Sequence, residues 1–73
     1  MSTQSIRTSS DFGAAVRQAR RQQNLTQRDL ALAAGCGERF IVELESGKET
    51  IRLGKALTVA RALGLRIDLS DDD

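Results

Sequence analysis

Residues 26–47 read TQRDLALAAGCGERFIVELESG, from Thr26 to Gly47, and the fold follows from this stretch. Two short amphipathic segments flank a Gly35-Cys36-Gly37 break. Leu30, Ala31 and Ala34 set an apolar stripe at i, i+1 and i+4 in the first segment; Ile41 and Leu44 set one at i and i+3 in the second. Thr26, with Asp29 three residues on, has capping-box spacing for the start of the first helix. Gly35 suits the left-handed residue that ends it, where a Cβ would be penalised. Gly37 is placed to start the second helix and Gly47 to stop it. Helices joined by so short a turn cross steeply. Ala31 then offers a small side chain where the second helix comes close. Cys36 falls where the turn drops an apolar group into the core, so it reads as a buried small hydrophobe and not as a reactive thiol.

Working outward, Phe12, Val16 and Ala19 recur at i, i+4 and i+7, with Ala15 beside them, and predict a first helix over about Ser10 to Gln23. Ser10 or Thr8 is its expected N-cap. Arg17, Arg20 and Arg21 lie away from that stripe and read as a solvated face. Asn24 and Leu25 connect to the second helix, expected over Thr26 to Ala34, and a third is expected over Glu38 to Ser46. After the Gly47–Thr50 loop, with Ile51 as its buried anchor, a fourth helix is expected over Leu53 to Leu63. Leu53, Leu57, Ala60 and Leu63 form its apolar face, and Gly64 is placed to end it. Leu65-Arg66-Ile67-Asp68-Leu69 then alternates strictly, the period of a half-buried strand. The weak Ile6–Arg7 region is the other strand candidate within the chain. The economical partner is the same strand of a second copy, which makes Leu65, Ile67 and Leu69 the expected dimerisation residues.

Seventy-three residues permit one domain. A chain of this size buries only about 60% of its unfolded surface, so association would help it. Residues 1–9 read as a flexible arm, 10–70 as the folded domain and 71–73 as an acidic tail. The net charge of +1 is uneven. Residues 1–67 carry eleven basic against six acidic groups, while Asp68 and Asp71–Asp73 hold the remaining acids. A moderately basic body of this kind permits nucleic-acid binding without requiring it. There is no histidine and one cysteine, which leaves no nucleophile–base pair or zinc cluster. No Gly-rich phosphate loop follows a strand. A non-enzymatic protein without a cofactor is therefore expected. No 18-residue apolar run or secretory signal appears, so the expected location is the cytoplasm.

The central stretch resembles the helix-turn-helix of the lambda-repressor/Cro family, also called the XRE family. The resemblance rests on Leu25-Thr26-Gln27, Leu30-Ala31, Gly35, Ile41 and Leu44-Glu45-x-Gly47-Lys48, and it continues through ARALG at Ala60 to Gly64. Within that family, GERFIVELESGKETIRLGKAL followed by LGLRIDL is similar to HipB-type antitoxins, the DNA-binding partners of HipA-like kinase toxins. The resemblance implies a mainly α fold: a lambda-repressor-like domain of four helices plus a short C-terminal strand pairing across a dimer. It implies a repressor of its own operon, bound to double-stranded DNA at an inverted repeat, that also restrains a HipA-like kinase. A stand-alone XRE-family regulator and a protein-interaction module without DNA binding are the alternatives. Leu32 and the helix-1 arginines are candidate toxin contacts.

In the family pattern, helix 3 enters the major groove, and the DNA-facing positions correspond to Gly37, Glu38, Arg39, Phe40 and Glu43, with Val42 nearby. Arg39 has the fork that matches guanine O6 and N7; an Arg39–Glu43 surface pair is the competing use. Glu38 and Glu43 can accept from a cytosine amino group or hold Arg39. Phe40 is expected at the core edge or against a thymine methyl. Gln27 stands where family members grip a phosphate with amide and side chain. Arg28, Ser46, Lys48 and Lys55 complete the expected phosphate set.

Overall fold

The computed structural model describes residues 5–71, and everything below concerns those residues. Four helices are present among them: α1 (Ser9–Gln22), α2 (Gln27–Ala34), α3 (Glu38–Glu45) and α4 (Leu53–Ala62). Each start is set locally. Thr8, not Ser10, caps α1, its hydroxyl accepting from the Asp11 amide at 3.0 Å. At α2 the Thr26 hydroxyl accepts from the Asp29 amide at 3.0 Å, and the Asp29 carboxylate accepts from the Thr26 amide at 2.9 Å. That completes the capping box which the Thr26/Asp29 spacing predicts.

The four helices end in one way. The N–H of Leu25, Cys36, Lys48 and Leu65 each reaches back to the carbonyl of Arg20, Ala31, Glu43 and Ala60, at 3.1, 3.0, 3.2 and 3.0 Å. The residue before each of those donors is left-handed: Asn24 at φ 60, Gly35 at 72, Gly47 at 86 and Gly64 at 78. This is the Schellman closure, in which one left-handed residue lets two orphan carbonyls find donors. Asn24 is the non-glycine member, tolerated there because its short amide side chain lowers the left-handed cost.

The core is aliphatic. Val16 and Ala19 of α1, Leu30 and Ala31 of α2, Ile41 and Leu44 of α3, and Ala56, Val59 and Leu63 of the α4 region are buried together. Phe12, Leu25, Ala34, Cys36, Phe40, Ile51 and Leu65 pack on its edge. The expected stripe of α4 needs correcting. Leu53 is 66% exposed, whereas Ala56, Val59, Ala60 and Leu63 are buried at i, i+3, i+4 and i+7. Leu53 opens the first turn, where the stripe runs out into solvent.

Gly13 sets how closely α1 and α3 approach. A Cβ there would collide with the Leu44 carbonyl oxygen and lie 3.0 Å from that of Glu45. The C-terminal end of α3 therefore rests directly on the backbone of α1, which fixes the tilt of the helix-turn-helix against the rest of the domain.

Residues 65–71 and the Ile6–Arg7 region form no strand among the described residues. Leu65 packs on the core, whereas Ile67 is 47% and Leu69 98% exposed. A strand needs a neighbour to take its backbone hydrogen bonds, and one copy of the chain offers none to this segment. Asp72 and Asp73, in the expected acidic tail, and residues 1–4 of the expected N-terminal arm lie outside the described residues. Among the described residues, no helix is long and apolar enough to cross a membrane.

Candidate nucleic-acid interface

The N-cap of α3 is Gly37, which has extended backbone and no side chain to cap the helix. The first-turn amides of α3 are thus left without a side-chain acceptor, and Glu38 is the acid placed at this positive helix end. Burial of Ile41 and Leu44 on one side of the helix turns the other side outward. Glu38 and Arg39 are exposed, the Arg39 side chain at 90%, and Val42 is 44% exposed. Phe40 is half-buried at the core edge, as the sequence suggests, and Lys55 of α4 lies over its ring with Nζ 5.6 Å from the centroid. That cation–π contact brings Lys55 next to the outward face of α3.

Glu43 is the hub of this face. Its Oε2 is 3.5 Å from Arg39 Nε, and its Oε1 is 3.4 Å from Lys48 Nζ. The Arg39–Glu43 pair therefore exists in the free chain, and Lys48 shares the same carboxylate. At these distances and exposures each pair is worth under about 1 kcal/mol, small enough for a nucleic acid to displace. Ser46 donates its hydroxyl to the Glu43 carbonyl at 2.8 Å. Of the expected phosphate set, Gln27, Arg28, Ser46 and Lys48 stand at the ends of α2 and α3. Lys55 comes from α4 instead and reaches the same side of α3 over the Phe40 ring.

A second network escaped sequence reasoning. Arg20, expected on a solvated face, instead turns inward. Its Nε and Nη2 donate to Glu45 Oε2 and Oε1 at 2.7 and 3.1 Å, and its Nη1 donates to the Leu25 carbonyl at 2.7 Å. The side chains of Arg20 and Glu45 are only 11% and 4% exposed. Gln27 Nε2 adds a third donor to the same carboxylate, at 3.1 Å from Glu45 Oε1. A buried carboxylate is tolerable only when charge and hydrogen bonds compensate it, and here both do. The available signal was positional. Arg20 stands four residues after Val16, and Glu45 four after Ile41, so opposite charges flank two core stripes at matching offsets.

Two titratable groups nearby are shifted. Hydrogen bonding from the backbone of Thr26, then from its side chain, holds the Asp29 carboxyl below the usual aspartate range, with Arg28 adding a smaller pull. Burial pushes the Cys36 thiol up, against a weaker opposing pull from Lys55. Cys36 packs against the core edge but is only half-buried, short of the full burial that the sequence suggests.

The surface just described has the arrangement of a helix presented to a duplex. α2 and α3 cross at the Gly35 turn, Arg39 points out from the first turn of α3, and cations and amides stand at the flanks. Comparison with known proteins gives the same picture. A helix-turn-helix family model matches residues 16–70. The chain is 53% identical over 64 residues to y4mF, an uncharacterized HTH-type transcriptional regulator of Sinorhizobium fredii, covering 88% of this chain and 84% of that protein. A HipB variant in complex with an O2 20mer superposes with a TM-score of 0.89 at 25% identity, covering 99% of this chain and all (100%) of the other. A structure of a HipA–HipB–O2–O3 complex matches with a TM-score of 0.87 at 24% identity, over 97% of this chain and 100% of that one.

Proposed function

We propose, for a chain that belongs to the XRE-type helix-turn-helix family of DNA-binding transcriptional regulators, that it acts as the autorepressing antitoxin of a HipA-like kinase. It binds an inverted-repeat operator as a homodimer, with α3 of each copy in a major groove. The observation that carries the DNA reading is the outward face of α3. Arg39 is 90% exposed in the first turn, with only a weak carboxylate partner to surrender. Gly37, Glu38, Arg39, Phe40 and Glu43 are its base-facing positions, and Gln27, Arg28, Ser46, Lys48 and Lys55 its backbone contacts. Arg39 reads guanine through a bidentate fork, worth about 1–3 kcal/mol of discrimination. Glu43, released from Arg39 and Lys48, accepts from a cytosine amino group.

The dimer is built from residues 65–69 of two copies, paired across a twofold axis. Support comes from the exposure of Ile67 and Leu69 beside a Leu65 anchored on its own core. Half-sites then stand about 10 base pairs apart, or a multiple of that. The kinase partner rests on likeness in fold to HipB, which is found with HipA in one of the matched structures. Leu32, 72% exposed on α2, is a candidate contact for it.

A gel-shift series on the DNA upstream of the gene tests the first half. Arg39→Ala should weaken binding and relax preference at one base pair. Lys48→Ala should weaken specific and random DNA alike and flatten the salt dependence. Equal losses on both DNAs for both variants would refute the assigned roles. Co-purification with the neighbouring gene product tests the second half. If no kinase-like partner is found, a stand-alone regulator is the reading that stands.

A further inference from the structure

Gln27 is expected to hold a phosphate, and a phosphate oxygen accepts hydrogen bonds but donates none. A free glutamine can present its carbonyl or its amide with equal ease, and only the amide is useful there. Here the choice is made by a neighbour. Glu45 Oε1 lies 3.1 Å from the Gln27 amide nitrogen, and an ionised carboxylate is acceptor-only. The amide end of Gln27 must therefore face Glu45, with one N–H used there and the second left for another acceptor. Gln27 lines an open groove with Arg17, Val42 and Ser46, with Arg20 and Glu45 in its wall.

A carboxylate so near a phosphate would normally repel it. Arg20 removes that objection by capping both oxygens, at 2.7 and 3.1 Å, and cancelling the charge. The third arm of Arg20 holds the Leu25 carbonyl at 2.7 Å, which fixes the chain entering α2 one residue before the Thr26 cap. One guanidinium thus sets both the backbone and the side chain at the start of α2. Lysine could not replace it, since a single ammonium lacks the planar fork for three acceptors.

From this geometry we infer that Glu45, charge-neutralised by Arg20, is a positioning residue for DNA backbone binding: it pre-sets the Gln27 amide as a phosphate donor. The inference rests on the DNA-binding reading above and adds to it the residue behind the phosphate contact. The pair also stabilises the fold, so its role in positioning needs a measurement that stability alone does not move.

The experiment uses the full chain and the tightest duplex selected from a random-sequence pool, with each phosphate replaced in turn by an uncharged methylphosphonate. Arg20→Met/Glu45→Met replaces the buried pair by apolar groups of similar size, a change buried ion pairs often tolerate. Wild type should lose about tenfold in affinity per half-site at one phosphate, the loss expected for one hydrogen bond to a charged group. Gln27→Ala and the double variant should bind the unmodified duplex about tenfold more weakly and lose clearly less than wild type on replacement at that phosphate. A folded double variant with wild-type affinity and wild-type sensitivity at that phosphate overturns the inference. Independently of any variant, the Gln27 side-chain amide of the free protein should be ordered by 15N relaxation. Mobility equal to that of the exposed Gln22 amide would also overturn it. A wild-type chain that selects no duplex refutes the DNA-binding reading itself and takes this role with it; the variant and relaxation outcomes strike the positioning role alone.

Discussion

Alanine in place of glycine should have opposite consequences at two helical sites in this molecule. At Gly54, inside α4, a new Cβ meets nothing within 4 Å. The substitution then gains only the backbone preference, up to about 1 kcal/mol in favour of alanine. At Gly13 the same gain is overwhelmed. The new methyl would strike the Leu44 carbonyl oxygen and press on that of Glu45 at 3.0 Å, and neither neighbour is a side chain able to rotate away. Overpacking costs about 1–3 kcal/mol, and a rigid backbone neighbour puts Gly13 at or above the upper end. Subtracting the helix gain leaves a net loss of about 2 kcal/mol. For a chain of this length each kcal/mol moves the melting temperature by about 4–8 °C. Gly13→Ala should therefore lower Tm by about 8–16 °C, while Gly54→Ala should raise it by a few degrees. Far-UV circular dichroism melts at one fixed protein concentration decide the matter, fixed because dimerisation would itself shift Tm. A Gly13→Ala protein as stable as wild type would mean that α1 and α3 do not touch as described.

Other consequences can be measured with similar means. Asp29 ionises below the usual aspartate range in the folded chain, so its contribution is complete above that range and fades as pH falls through the lowered pKa. The Tm difference between wild type and Asp29→Asn should accordingly close toward acid pH; a difference that persists or widens there refutes the capping account. Cys36, with its thiol pushed up by burial, should react with a disulfide reagent more slowly at neutral pH than a free thiol does. A rate at or above that of the free thiol would show that the group is not held on the core edge. With the proposed dimer built from residues 65–69, wild type should sediment as a dimer and Ile67→Asp as a monomer that binds the operator more weakly, with helix content unchanged. A variant that remains dimeric removes the C-terminal seam.

Much of the framework was legible because it is written locally. The Thr26/Asp29 cap and the Gly35, Gly47 and Gly64 stops each depend on residues within one turn of each other, and all appear where the sequence places them. What was missed lay elsewhere. The α4 stripe is set one turn too early in the sequence: Leu53, Leu57, Ala60 and Leu63 share a helical spacing, yet the buried face runs through Ala56, Val59, Ala60 and Leu63, and only the packed partners decide between the two. The Arg20–Glu45 bond joins residues 25 apart, so no local window contains both partners. Without that pairing, Arg20 reads with Arg17 and Arg21 as part of a solvated face. At the interface, the sequence named Arg39 and Glu43 as rivals for base contact or mutual pairing. The structure adds Lys48 as a second partner for Glu43, which only the fold back from the Gly47 turn could reveal. Residues 65–69 alternate like a strand but form none among the described residues, because alternation states a period and not a partner.

The shared Schellman closure also bears on how quickly the molecule assembles. Each rod is told where to stop by a donor only five positions downstream of its acceptor, so no distant partner is needed to define a boundary. The search left to the chain is the docking of short, already delimited rods, the situation in which small helical proteins reach the native state in microseconds to milliseconds. If two copies pair as proposed, each would be a finished set of rods before they meet.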